Sequence, residues 1–154
     1  MGASIQDTYG KRPKGFLGGI ANSNPLTTKS VTTAEPIAVG KFCTFSASGI
    51  INLTALTNTI AGVVCKSDAM DGATVEANEN ATLLEAGNVF VYSETACNEG
   101  DTVYARVTAN GALAVGNVRN DADNDGTNDR AVAVKAIFEE TLTGAGLVQI
   151  KVNL

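Results

Sequence analysis

The sequence predicts an all-β protein, an antiparallel sandwich or barrel entered through an extended N-terminal arm. Three observations carry this. Short apolar or alternating segments recur between turn signals spaced roughly 8–15 residues apart, the rhythm of sandwiches and barrels. No stretch sustains a helical period; residues 58–69 hold helix-compatible side chains, but Gly62 and the valines favour a strand. The first 30 residues differ in composition from the remainder, which sets the expected organisation: an arm over 1–30 and one β-domain over 31–154.

In the arm, Gly2, Gly10, Gly15, Gly18 and Gly19, with Pro13 and Pro25, interrupt any helix or long strand. Tyr9, Phe16, Leu17, Ile20 and Leu26 lie among them, more apolar anchors than a merely solvated tail carries. The expectation is a docking arm; a disordered terminus and an arm packed on its own body are the alternatives. From Glu35 the strands follow. Residues 36–45 are β-rich with a bend at Gly40, and residues 60–65 (IAGVVC) form a buried run. Residues 81–84 and 89–92 flank Gly87-Asn88, read as a tight turn. Residues 101–107 alternate, Val103, Ala105 and Val107 on one face and Thr102, Tyr104 and Arg106 on the other. Asn110-Gly111 is a hairpin turn pair, and residues 131–138 and 147–152 are the last strands.

Composition excludes most chemistry. The chain has no histidine, so the commonest general base, the Ser-His and Cys-His couples and the commonest nitrogen ligand are all missing. No enzyme site is expected. The net charge is −5, unevenly spread. Lys11, Arg12, Lys14 and Lys29 against Asp7 leave the arm at +3 and the body at −8, and residues 68–101 hold eight acids and no base. Such a body repels nucleic acid, whose binding rests on phosphate neutralisation. Cys43, Cys65 and Cys97 lack metal-like spacing and read as small buried hydrophobes, with a disulfide as the alternative. No apolar run reaches membrane-span length, and the basic N-terminus lacks the apolar stretch of a signal peptide. The expected site of synthesis is a reducing cytoplasm.

The sharpest motif runs from Asp121 through Asp123, Asp125 and Gly126 to Asp129. Alternating carboxylates before a glycine can wrap Ca²⁺ with oxygen ligands. An EF-hand then needs a bidentate Glu three residues later, where Val132 stands. Two readings follow: a looser Ca²⁺ loop on Asp121, Asp123, Asp125 and Asp129, or a soluble acidic hairpin tip. Otherwise no cofactor is expected. Gly15, Gly18 and Gly19 lack the Lys-Ser or Lys-Thr of a phosphate loop and instead let backbone lie close to a surface. Glu139 and Glu140, neighbours at a strand end, point to opposite faces and make no catalytic pair.

The chain resembles the head decoration, or cement, proteins of tailed bacteriophages. The likeness rests on the order of low-information stretches: RPKGFLGGIANSNP leading into EPIAVGKFCTF, then IAGVVCKS, GNVFVYSETACNEGDTVYARV and the closing GLVQIKVNL. NDADNDGTNDR departs from it by being longer and more acidic. The resemblance implies a β-tulip-like or barrel-like body. It further implies trimers on the virion exterior that bridge neighbouring major capsid protein subunits, with no catalytic residues. Within that reading Tyr9, Phe16, Leu17 and Ile20 are the expected anchors, and Lys11, Arg12 and Lys14 meet acidic capsid groups. The rival readings are a tail or baseplate subunit and a Ca²⁺-dependent β-sandwich module.

Overall fold

The computed structural model describes residues 15–67, 70 and 72–154. Among them no helix forms, and eleven strands do: β1 (Ile20–Thr32), β2 (Ile37–Ala38), β3 (Phe42–Ser46), β4 (Gly49–Asn52), β5 (Ile60–Cys65), β6 (Thr74–Val75), β7 (Asn80–Ser93), β8 (Thr102–Arg106), β9 (Val118–Arg119), β10 (Ala131–Phe138) and β11 (Gly146–Asn153). Five of them close a barrel in the order β11-β10-β8-β9-β7, with β7 pairing back onto β11. The closing ladder is long and regular, from Gly146 opposite Ser93 to Asn153 opposite Ala86. Closure removes the edges on which strands otherwise aggregate. The barrel form of the expected all-β fold is therefore the one adopted.

β7 belongs to two structures. Its second half is a barrel stave; its first half runs past the barrel between β1 and β5. From β5 the sheet continues through β3 to β4, and β4 curls back to the end of β1 where Thr33 bridges Ile50 and the Ala34 N–H donates to the Ile50 carbonyl at 2.9 Å. Two cores result. The larger holds Phe42, Leu84, Val89, Val91, Val103, Val118, Phe138, Val148 and Ile150 among others. The smaller holds Ile37, Val39, Cys43, Ile50, Ala61, Val64, Val75, Ala81 and Leu83. Each Val, Leu, Ile or Phe among them contributes roughly 1.5–3 kcal/mol when fully buried.

A strand that serves both cores must change parity, because its side chains alternate faces. Leu84 and then Val89 and Val91 enter the same core. The register supplies the slip: Thr28 faces Leu84 but Thr27 faces Ala86, so Glu85 is an extra residue, a β-bulge. Gly87 follows at φ 134°. This corrects the tight turn expected at Gly87-Asn88. The glycine bends one continuous strand, because both flanks of that strand are already occupied by β1 and β11.

Other expectations hold. The runs 60–65 and 131–138 become β5 and β10 without change of bounds. Residues 36–45 break into β2 and β3 around Gly40, at φ 75°. Asn110 opens a tight turn in which it and Leu113 exchange both backbone hydrogen bonds at 3.0 Å. All three cysteines are buried, and none of them is in a disulfide. The boundary expected at residue 30 falls inside β1, so residues 20–32 are a strand on the body.

Candidate functional site

The glycines of the first segment explain its course. The Gly18 N–H donates to the Phe90 carbonyl (2.8 Å), the Phe90 N–H to the Gly19 carbonyl (2.9 Å), and the Lys66 N–H to the Gly18 carbonyl (2.9 Å). The chain thus lies directly along β7. A Cβ on Gly15 would sit 2.3 Å from the Phe90 ring, and one on Gly18 would sit 2.8 Å from the Val39 Cβ at a φ of 73°. Only glycine permits that approach. Of the expected anchors, Leu17 turns inward and packs on the smaller core, its Cδ1 lying 2.6 Å from where a Gly40 Cβ would stand. Phe16 and Ile20 face outward, 58% and 39% exposed. Tyr9, Lys11, Arg12 and Lys14 lie outside the described residues.

Phe16 does not stand by itself. The segment runs beside β7 with Gly15 against the ring of Phe90, which is half-buried, and Tyr92 on the same strand is 41% exposed. Tyr92 is opposite Leu147 across the β7–β11 ladder, and Lys151 is opposite Ile137 across β11–β10. Ile137 is exposed too. β11 therefore carries an outward row of Leu147, Gln149, Lys151 and Asn153 between two apolar flanks. Exposed apolar groups gathered on one face mark interaction surfaces.

The feature that sequence reasoning missed lies at one end of the barrel. Arg106 points outward from β8, as the alternation predicts, yet it is fully buried. Its Nε donates to both Glu94 carboxylate oxygens (2.8 and 2.9 Å), Nη2 to Glu94 (2.7 Å) and to Asp123 (2.7 Å), and Nη1 to the Thr108 carbonyl (3.0 Å). Arg119 of β9 adds contacts to Asp121 (2.6 Å), Asp123 (3.1 Å) and Glu94 (3.5 Å). The acidic loop folds over the two arginines as a lid. A bidentate guanidinium–carboxylate pair with a partner for each donor nitrogen is the form in which a buried charge is tolerated. The legible signal was two arginines on short strands beside an unusually acidic loop; what the sequence lacked was their proximity to Glu94.

The same contacts account for the aspartates read as a cation loop. Asp121 pairs with Arg119, Asp123 with Arg106 and Arg119, and Asp125 accepts from Arg130 (3.1 Å) and from the Thr127 and Asn128 N–H groups (2.9 and 2.8 Å). Asp129 accepts from the Asn124 amide at 2.7 Å. Arg119 holds the Asp121 carboxyl below its usual range; backbone donors, the Asn128 N–H first, do so for Asp125. Among the described residues no three acidic or sulfur side chains are grouped to share a metal ion.

The fold is a closed β-barrel that carries an exposed apolar face. The family model described as structural cement protein (E217 gp24/Pam3 gp6) matches residues 5–153. The chain belongs to this family of phage structural proteins, which is not an enzyme family. It is also similar to a chain in a solved structure of the capsid of Myoviridae phage XM1, with a TM-score of 0.72 and 23% identity over 90% of this chain and 89% of that one. At that identity the likeness concerns the fold. No curated protein matches the chain.

Proposed function

We propose that this protein decorates the phage head from outside, binding the major capsid protein as a homotrimer and stabilising contacts between shell subunits. The cement-family match over residues 5–153 carries the reading. The exposed apolar face over β7, β10 and β11 supports it, as do Phe16 and Ile20, which the N-terminal segment exposes. Phe16 and Ile20 anchor that segment, and Tyr9, Lys11, Arg12 and Lys14 continue it toward acidic groups of the shell. Leu17 instead fixes the segment to its own body. Main-chain pairing of such a segment with a neighbouring edge gives affinity without a pocket. Three weak contacts on one trimer act at high effective concentration, so modest single contacts suffice. The acidic body keeps the protein off DNA. The barrel acts as a rigid spacer, and no chemical step is asked of it.

The test is sedimentation of the purified protein with expanded, undecorated shells of its own phage, alongside its mass in solution. Stoichiometric co-sedimentation supports the reading, and removal of residues 2–14 lowers occupancy. A protein that stays in the supernatant at micromolar concentration refutes it.

A further inference from the structure

The apolar face holds a concave element on β10. β10 contains two residues more than β8 between the pairs Ala133–Tyr104 and Ile137–Thr102, and β11 pairs with it only from Ala136 onward. Val134 and Lys135 therefore sit where the ladder is interrupted on both sides, and the strands splay. A groove of about 460 Å³ opens there, floored by Val134, Ala136 and Ile137 and rimmed by Lys135, Lys151 and Asn153. A second lobe of about 310 Å³ continues it past Val134 and Lys135 to Ile60. The combined volume suits a few side chains of an extended segment.

The charges are what select an occupant. Arg106, Arg119 and Arg130 are paired with carboxylates, Lys29 with Glu85, and Lys41 with Asn117. Lys66, Lys135 and Lys151 have no side-chain partner among the described residues, and two of these three stand on this one rim. In a chain of net charge −5, two unpaired cations flanking an apolar floor form a local site of the opposite sign. We infer that the β10 groove docks an extended, acidic segment of the shell protein, apolar side chains on Val134 and Ile137 and carboxylates on Lys135 and Lys151. This rests on the capsid-binding reading and names the chemistry of its partner. Exposed Lys–carboxylate pairs steer and orient more than they hold, so the apolar floor supplies affinity and the lysines supply register.

Two measurements test it on the full chain. Lys135→Glu with Lys151→Glu reverses both rim charges on exposed side chains and leaves the core untouched. Affinity for expanded shells falls roughly tenfold or more, while the melting temperature and oligomeric state stay unchanged. Zero-length carbodiimide coupling of the unmodified protein on shells then joins Lys135 or Lys151 to an Asp or Glu of the shell protein. Unchanged affinity of the double variant, with the unmodified chain still binding, overturns the groove inference and leaves the capsid reading standing. Coupling of these lysines to a second copy of this chain also overturns it, making the groove an interface between copies. Failure of the unmodified chain to bind removes both readings together.

Discussion

Replacing Arg106 by methionine removes the centre of the buried charge network while keeping a side chain of similar length. Five hydrogen bonds go: three to Glu94, one to Asp123 and one to the Thr108 carbonyl. The main cost is the Glu94 carboxylate, only 1% exposed, which loses its bidentate partner. Breaking a buried pair from one side costs about 3–5 kcal/mol. Arg119 still reaches Glu94 at 3.5 Å, which places the expected loss near the lower end, about 3 kcal/mol. For a chain of this size each kcal/mol moves the melting temperature about 2–4 °C, so Arg106→Met melts about 6–12 °C lower. The assay is thermal unfolding followed by circular dichroism at neutral pH. Adding Glu94→Gln removes the stranded charge and recovers part of the loss, so the double variant melts above the single one. A single variant within about 2 °C of the parent, or a double variant worse than the sum of both singles, would refute the reasoning that Glu94 depends on Arg106.

Acid weakens the lid. The folded carboxyls of Asp121 and Asp125 titrate below the ordinary 3.8, so their stabilisation is present above that value and is lost as pH falls through the folded ones. Asp121→Asn with Asp125→Asn flattens the melting temperature against pH in that acid range, and an unchanged slope counts against the assignment. Calcium leaves the melting temperature unmoved, because the four aspartates already accept from arginine, amide or backbone donors; a rise that grows with calcium concentration contradicts this. Gly18→Ala, at positive φ and against Val39, costs about 1–3 kcal/mol and exposes residues 15–20 to protease; a stable, protected variant means the segment is not held there. Burial pushes the Cys43 thiol up to about 12 and the Cys65 thiol up to about 11, so neither reacts with a thiol reagent at pH 8 until the chain unfolds. Fast labelling of the native protein contradicts their burial.

The parts legible in the sequence are those where local pattern and final environment agree. Residues 60–65 are continuously apolar because β5 is buried on both faces, and residues 102–105 alternate because that part of β8 is buried on one. Gly87-Asn88 misled because a glycine at positive φ serves a turn or a bulge equally well, and only the neighbours on both sides of β7 decide between them. β1 was hidden by Pro25 and by the glycines that precede it, Gly15, Gly18 and Gly19; it is a strand because β7 offers it a free side. The acidic loop reads as a cation site for the same reason it makes a lid over Arg106 and Arg119: closely spaced carboxylates attract cations, and guanidinium groups are cations.

The sequence by itself determined an all-β chain without histidine chemistry, its resemblance to phage cement proteins, and the cysteines as buried hydrophobes. These follow from composition and short-range periodicity, which are properties of the chain read in order. Only the tertiary structure decided that the barrel closes through β7 and β11, that Leu17 faces inward while Phe16 faces outward, and that Arg106 is sealed by Glu94 and Asp123. Each of those joins residues distant in the chain, Glu94 to Arg106 to Asp123 or Gly18 to Phe90. Such pairings are set by loop closure and the packing of alternate faces, and no local spacing encodes them.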